Sequence, residues 1–258
     1  MAPGLAIADT TEDAVLGGRL KLRQPRKGHR VGHDAILLAA ATGARDGEHA
    51  VDLGAGVGGA GLALAARVPA LTLTMIEIDA GLGALAKDNA ELNAMGPRVR
   101  VLVCDAGKSD ALASAGLAAG SIDRVLMNPP FNDERRQNVS PDPRRRLAHA
   151  GGPDLLPRWI GAAGWLLKPQ GSLTLIWRAE ALQDVIAALT PAFGGIAVLP
   201  VYPRANAPAI RVLVRALKDG TGALREYPGL VLNDGNNRPS DAAEAVLRGG
   251  EPLALASL

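Results

Sequence analysis

The chain has 258 residues, 48% of them apolar, and its 28 lysines and arginines against 26 acids leave a net charge of +2. That is apolar material for a sizeable core at the upper end of a single domain. No run reaches the ~18 apolar residues of a membrane helix and the start lacks a leader pattern, so a soluble, cytoplasmic protein with no membrane partner is expected. The one cysteine, Cys104, allows no intrachain disulfide and no cysteine cluster for zinc; with no ligand spacing among the histidines, no metal is expected.

In chain order, residues 15–25 read as a short hairpin turning at Gly17-Gly18. The stretch RLKLRQPRKGHR, 19–30, carries six basic residues and no acid, Arg23, Arg26, Lys27 and Arg30 among them. GHDAILLAAAT follows as a helix starting near Asp34, an N-cap type of residue. Apolar runs then alternate with helical patterns, the signature of strand–helix units on a mostly parallel sheet. Buried strands are expected at 49–55, 71–79, 99–106, 122–130 and 171–179, with helices at 58–67, 80–95, 109–119 and 153–168, the last stopped by Pro169 and Gly171. After a helix near 179–190, GGIAVLPVY and AIRVLVRAL are joined with no room for a helix and so run antiparallel. The expected fold is α/β: a seven-stranded, mostly parallel sheet with one antiparallel strand, helices on both faces and a short N-terminal hairpin and helix. We read one domain over 1–258, with an extension at 1–45, a core at 46–218 and an appendage at 219–258 made of loop, a short strand and a short helix starting near Ser240.

A second basic cluster, RRQNVSPDPRRR at 135–146, holds Arg135, Arg136, Arg144, Arg145 and Arg146 against one acid. Two such clusters point to a polyanionic partner such as nucleic acid. The aromatic content of 3% argues against a surface of stacked bases.

VDLGAGVGGAG follows the first strand of the core and opens a helix. Gly54, Gly56 and Gly59 satisfy G-x-G-x-x-G, with Glu77 about 20 residues on, so a nicotinamide or flavin dinucleotide is the first rival. Asp52 argues against it. A carboxylate two residues before Gly54 would set negative charge against a pyrophosphate, whereas S-adenosylmethionine brings an ammonium and a sulfonium. The glycine turn, Gly54, Ala55, Gly56 and Gly58, would then hold that cofactor. Glu77, ending the second strand, is placed for the ribose hydroxyls, and Asp105, ending the third, for the adenine amino group, with the Ala106 N–H free for the ring. Ligands of open α/β sheets bind at these strand ends.

LMNPPF ends the fourth strand, beside the first. An exocyclic amine is a poor nucleophile because its lone pair is delocalised into the ring. Two acceptors that hold its N–H groups pull the nitrogen toward tetrahedral geometry. The Asn128 side chain and the Pro129 carbonyl, made rigid by Pro130, are such a pair, and Phe131 can stack on the flat substrate. Cys104, inside an apolar strand, is read as buried core and not as a nucleophile, and the tryptophans at 159, 165 and 177 as core.

VDLGAG, the strand-end acids and NPPF together resemble class I methyltransferases that act on planar amino nitrogens, including adenine-N6 and guanine-N2 enzymes and the release-factor glutamine methyltransferases. With VGHDAILLAAAT ahead of the glycine turn, the chain is similar to the bacterial enzymes that methylate adenine-37 of tRNA-Val. The resemblance covers about 15–218 and implies a Rossmann-like fold, Asp34 as a wall of the cofactor site, and RNA, tRNA first, as the partner. Where that family usually has Tyr after the prolines, this chain has Phe131.

Overall fold

The computed structural model describes residues 9–28, 30–130 and 154–257. The N-terminal hairpin pairs β1 (Thr10–Val15) with β2 (Leu20–Pro25) in antiparallel register, Val15 opposite Leu20. Leu20 and Leu22 point into the core while Lys21 and Arg23 point out, the period-2 pattern of a half-buried strand. β1 and the residue before it carry acids that the basic cluster lacks. Glu12 pairs with Arg23 at 3.5 Å, Asp9 with Arg26 at 2.8 Å, and Asp13 with Arg30. The hairpin is thus a cross-strand charge zipper, and only Lys21 and Lys27 of its described basic residues are outside those pairs or a backbone bond.

The core alternates strand and helix: α1 (His33–Ala41), β3 (His49–Leu53), α2 (Gly59–Arg67), β4 (Thr72–Glu77), α3 (Ala80–Leu92), β5 (Val99–Val103), α4 (Ser109–Ser114) and β6 (Ile122–Met127). It continues with α5 (Leu155–Leu166), β7 (Leu167–Arg178), α6 (Leu182–Leu189), β8 (Phe193–Arg204) and β9 (Arg211–Lys218). The sheet runs β5-β4-β3-β6-β7-β9-β8, and β9 is antiparallel to both β7 and β8. The seven expected strands and the single reversal are there. Two more, β10 (Arg225–Glu226) and β11 (Leu230–Asn233), both lie parallel on β8, so the sheet has nine strands. They belong to the 219–258 segment, which therefore packs onto the sheet and closes with α7 (Asp241–Leu247), capped by Ser240 accepting from the Ala243 N–H.

Two expectations at helix ends are corrected. α1 is capped at Gly32, and Asp34 lies in its first turn with its carboxylate bound by Arg211 Nε at 2.9 Å. α5 ends at Leu166, and Pro169 and Gly171 fall inside β7, in a stretch where the β6 register slips between Ile122 and Arg124. The core has two layers. α1, α2, α3 and α7 cover one face with Leu37, Leu38, Leu62 and Leu64; α5 and α6 cover the other with Trp159, Ile160 and Val185. No helix among the described residues is long and apolar enough to cross a membrane.

Candidate active site

Register builds the site. Leu53 of β3 pairs with Ile76 of β4 on one side and with Met127 of β6 on the other, and Glu77 pairs with Val103 of β5. The next residues along, Asn128, Gly54, Glu77 and Val103, therefore stand in one row across four parallel strands. Asp105 follows two residues past Val103. The helices that follow β3 and β6 in the described residues, α2 and α5, cover opposite faces of the sheet, the arrangement that opens a crevice at such strand ends. The expected Asn128, Pro129, Gly54, Ala55, Gly56, Glu77, Asp105 and Ala106 thus all lie along one edge of the sheet. Phe131, Arg135, Arg136, Arg144, Arg145 and Arg146 lie outside the described residues.

The glycine turn is wound tightly. Gly54 and Ala55 both donate to the Ile76 carbonyl at 2.9 Å, Gly56 donates to Glu77 Oε2 at 2.8 Å, and Gly58 donates to the Ala55 carbonyl at 2.8 Å. Four N–H groups of the turn are thus committed to the protein's own acceptors. Gly54 must be glycine twice over: its φ is +74°, and a Cβ there would lie 2.2 Å from Cη2 of Trp159. The same indole lies 3.1 Å from where a Gly107 Cβ would be, so Trp159 joins the turn after β3 to the turn after β5. Read from sequence only as core, it is also the floor of the crevice.

Glu77 is 7% exposed. Its Oε1 accepts from the Asp79 N–H at 2.9 Å while Oε2 takes Gly56, and burial pushes its carboxyl up against the pull of those two N–H groups. Ile78, next to it, is an apolar residue that leaves 43% of its surface open. Asp105 accepts from the Gly107 N–H at 2.9 Å and faces Lys108 at 3.6 Å and Arg158 at 3.7 Å. α5 therefore sets Arg158 on Asp105 and Trp159 on Gly54 from adjacent positions. Cys104 is only half-buried, not core throughout; burial and the Asp105 charge raise its thiol, which disfavours the nucleophilic thiolate.

Asp52 corrects an expectation. It does not open onto the crevice: at 2% exposed, it turns beneath α2, where Oδ2 accepts from the Gly61 N–H at 2.8 Å. Its work is to brace the first turn of that helix. Burial pushes its carboxyl up to about 7, with the nearby Glu77 charge adding to the rise and the Gly61 N–H opposing it. The folded protein then holds this proton more tightly than the unfolded chain, where Asp titrates near 3.8. Stability is therefore highest below about pH 4 as far as this group goes, and falls as pH rises to about 7, by on the order of 4 kcal/mol. Urea unfolding across that range measures the slope. Asp52→Asn flattens it, and an unchanged slope in that variant would assign it elsewhere.

A second buried polar residue ties the crevice to the hairpin. Asn89 of α3 is fully buried; Nδ2 donates to the Val57 carbonyl in the glycine turn at 2.9 Å and to the Arg23 carbonyl at 3.0 Å, and Oδ1 accepts from the Arg23 N–H at 2.7 Å. Asn93, one turn on, makes the same two-way pair with Lys21. Nothing in the local sequence marks these amides, because their partners come from another part of the chain.

The model of the methyltransferase small domain family matches residues 30–201. A tRNA1(Val) (adenine(37)-N6)-methyltransferase of Porphyromonas gingivalis is 31% identical over 160 residues, an alignment that covers 60% of this chain and 61% of that protein. A protein of the same name from Dickeya chrysanthemi is 26% identical over 230 residues, covering 85% of this chain and 86% of its own length. Among solved structures, a predicted O-methyltransferase from Agrobacterium tumefaciens superposes with a TM-score of 0.72 at 28% identity, over 85% of this chain and 98% of that one.

Proposed function

The chain belongs to the methyltransferase small domain family, and from that premise we propose that it is an S-adenosylmethionine-dependent N-methyltransferase acting on an exocyclic amine of an RNA base, adenine N6 of tRNA first. One observation carries the reading: Asn128 leaves β6 level with Gly54 and Glu77, so an acceptor pair for a planar amine lies beside a cofactor-type crevice. The two similar tRNA methyltransferases supply the choice of base and RNA. We take residues 1–258 as one domain, working in the cytoplasm.

The donor set fits this cofactor better than a dinucleotide. Four of the turn's N–H groups are spent on Ile76, Glu77 and Ala55, and the Glu77 carboxylate lies against it. The bound cofactor supplies an electrophilic methyl group on a cationic sulfur. Glu77 would hold the ribose hydroxyls, Ile78 would cover the adenine, Asp105 would take its amino group, and the tight turn at Gly54–Gly58 lets the backbone approach. Asp34, tethered by Arg211, would close the wall near α1. Asn128 Oδ1 and the Pro129 carbonyl would accept the two N–H bonds of the target amine and turn its lone pair toward the methyl group. Pro130 stiffens that carbonyl, and Phe131 would stack on the base. An oxygen nucleophile has no such pair of N–H bonds to hold, which favours nitrogen. Because the hairpin arginines are paired, its phosphate contacts rest on Lys21 and Lys27, with the 135–146 arginines as the larger source of positive charge.

Methyl-labelled S-adenosylmethionine, the purified protein and unmodified tRNA and rRNA transcripts test this, with nucleoside digestion and mass spectrometry. Label in N6-methyladenosine from tRNA is expected. Label in N2-methylguanosine from rRNA would keep the chemistry and replace the substrate; no label in any nucleoside would overturn the RNA reading in favour of an amide or small-molecule amine.

A further inference from the structure

A cavity of about 510 Å³ lies away from the strand-end crevice, between the C-terminal ends of α1 and α2, the hairpin turn and the chain after α7. Its volume is that of a small-molecule site. Three arginines line it, and each closes a helix end. Arg67 Nη2 takes the Ala39 and Thr42 carbonyls at the end of α1; Arg98 takes Ala65 at 2.8 Å and Leu71 at 3.2 Å around the end of α2; Arg19 takes Arg248 at 3.1 Å and Gly249 after α7.

None of the three has a carboxylate within ion-pair distance among the described residues. A helix C-terminus offers roughly half a negative charge, so each guanidinium remains about half uncompensated. Arg67 and Arg98 are half-buried and Arg19 is exposed, and burial pushes the Arg67 and Arg98 guanidiniums down from their ordinary value. The carbonyls occupy part of each guanidinium. Nη1 of Arg19, Nε and Nη1 of Arg67 and Nε of Arg98 keep spare N–H groups, and none of these atoms is both buried and unpaired. Ile36, Met95 and several alanines line the rest together with the polar Asn93, and Glu251 is exposed at the rim.

We propose that this cavity is a second ligand site, which takes a small anion with a phosphate or carboxylate head on an apolar body. Guanidinium edges match both heads bidentately, and the alanines of α1 and α2 leave room for the body. The site is built jointly by the N-terminal hairpin and the C-terminal segment, and so gives residues 246–252 a use that the methyl-transfer chemistry does not. It depends on neither the cofactor nor RNA.

Calorimetric titration of the whole protein with phenyl phosphate and with phenylacetate, without cofactor or RNA, tests it, and the pair tells a phosphate head from a carboxylate. One saturable site for at least one probe is expected. Glu251→Gln removes the rim charge from an exposed position and tightens binding about two- to fivefold. Ala66→Met, at a half-exposed position on the wall, fills the space and weakens it roughly tenfold or more. No saturable binding by the parent or Glu251→Gln, an affinity unmoved by Glu251→Gln, or binding that survives Ala66→Met would each overturn the site. Methyl transfer is read in a separate assay, so neither result decides the other.

Discussion

Asn128→Ala lowers kcat for methyl transfer by roughly 10²–10³-fold, the usual cost of losing one preorganised acceptor or donor at a reacting centre, and leaves the cofactor Kd unchanged. The reasoning is local. Asn128 is half-buried at the end of β6 and is not part of either core layer, so truncation leaves the sheet intact. It removes one of the two acceptors proposed to take the amine out of conjugation, a group needed in the transition state more than in the ground state, so kcat falls before KM rises. Asn128→Asp keeps an acceptor in the same place and retains more activity than the alanine variant. Single-turnover rates with a parallel cofactor titration separate the two quantities. An alanine variant as active as the parent would remove the clamp from the mechanism.

Gly54→Ala has the larger effect on the fold. The backbone at φ +74° costs an L-residue about 1–2 kcal/mol, and the new methyl would overlap the Trp159 indole, with Cη2 at 2.2 Å and Cζ3 at 2.7 Å. Overpacking of this kind adds about 1–3 kcal/mol, a large part of the stability of an ordinary domain. Thermal unfolding then shifts down by roughly 10 °C, and cofactor binding weakens with it because the turn moves. The two costs can be separated. Trp159→Leu shortens the side chain that collides, so Gly54→Ala costs less in that background than in the parent, while the backbone part remains. If the cost is the same in both backgrounds, the overlap with Trp159 is not what makes Gly54 necessary.

Most of the sheet was legible because buried parallel strands read as apolar runs and their helices as periodic ones. The glycine turn and the strand-end acids were legible for the same reason: strand ends are where the runs stop. What escaped was set by distance along the chain. Trp159 meets Gly54 from beyond three intervening strands, β4, β5 and β6, and no local pattern records it. β10, two residues long, and β11, four, are too short to show a period. Asp9, Glu12 and Asp13 precede the basic cluster in sequence and pair with three of its six basic residues only once the chain has turned back on itself, which composition cannot display. Asp52 lies one residue before the strand ends, and alternation decides which face it takes; it takes the α2 face, and the residue that turns to the crevice is Glu77.

The paired amides of Asn89 and Asn93 also set an order of events during synthesis. The backbone of β2 at Lys21 and Arg23 finds its second edge 72 and 66 residues later in the chain. At about 5–20 residues per second, this hairpin waits several seconds before α3 exists to receive it. During that interval β2 is an open edge strand, the kind that other chains can pair with. Its outward Lys21 and Arg23 and the terminal Pro25 are the residues that make such pairing unfavourable. The charges on this hairpin thus guard an unfinished protein before they serve a finished one.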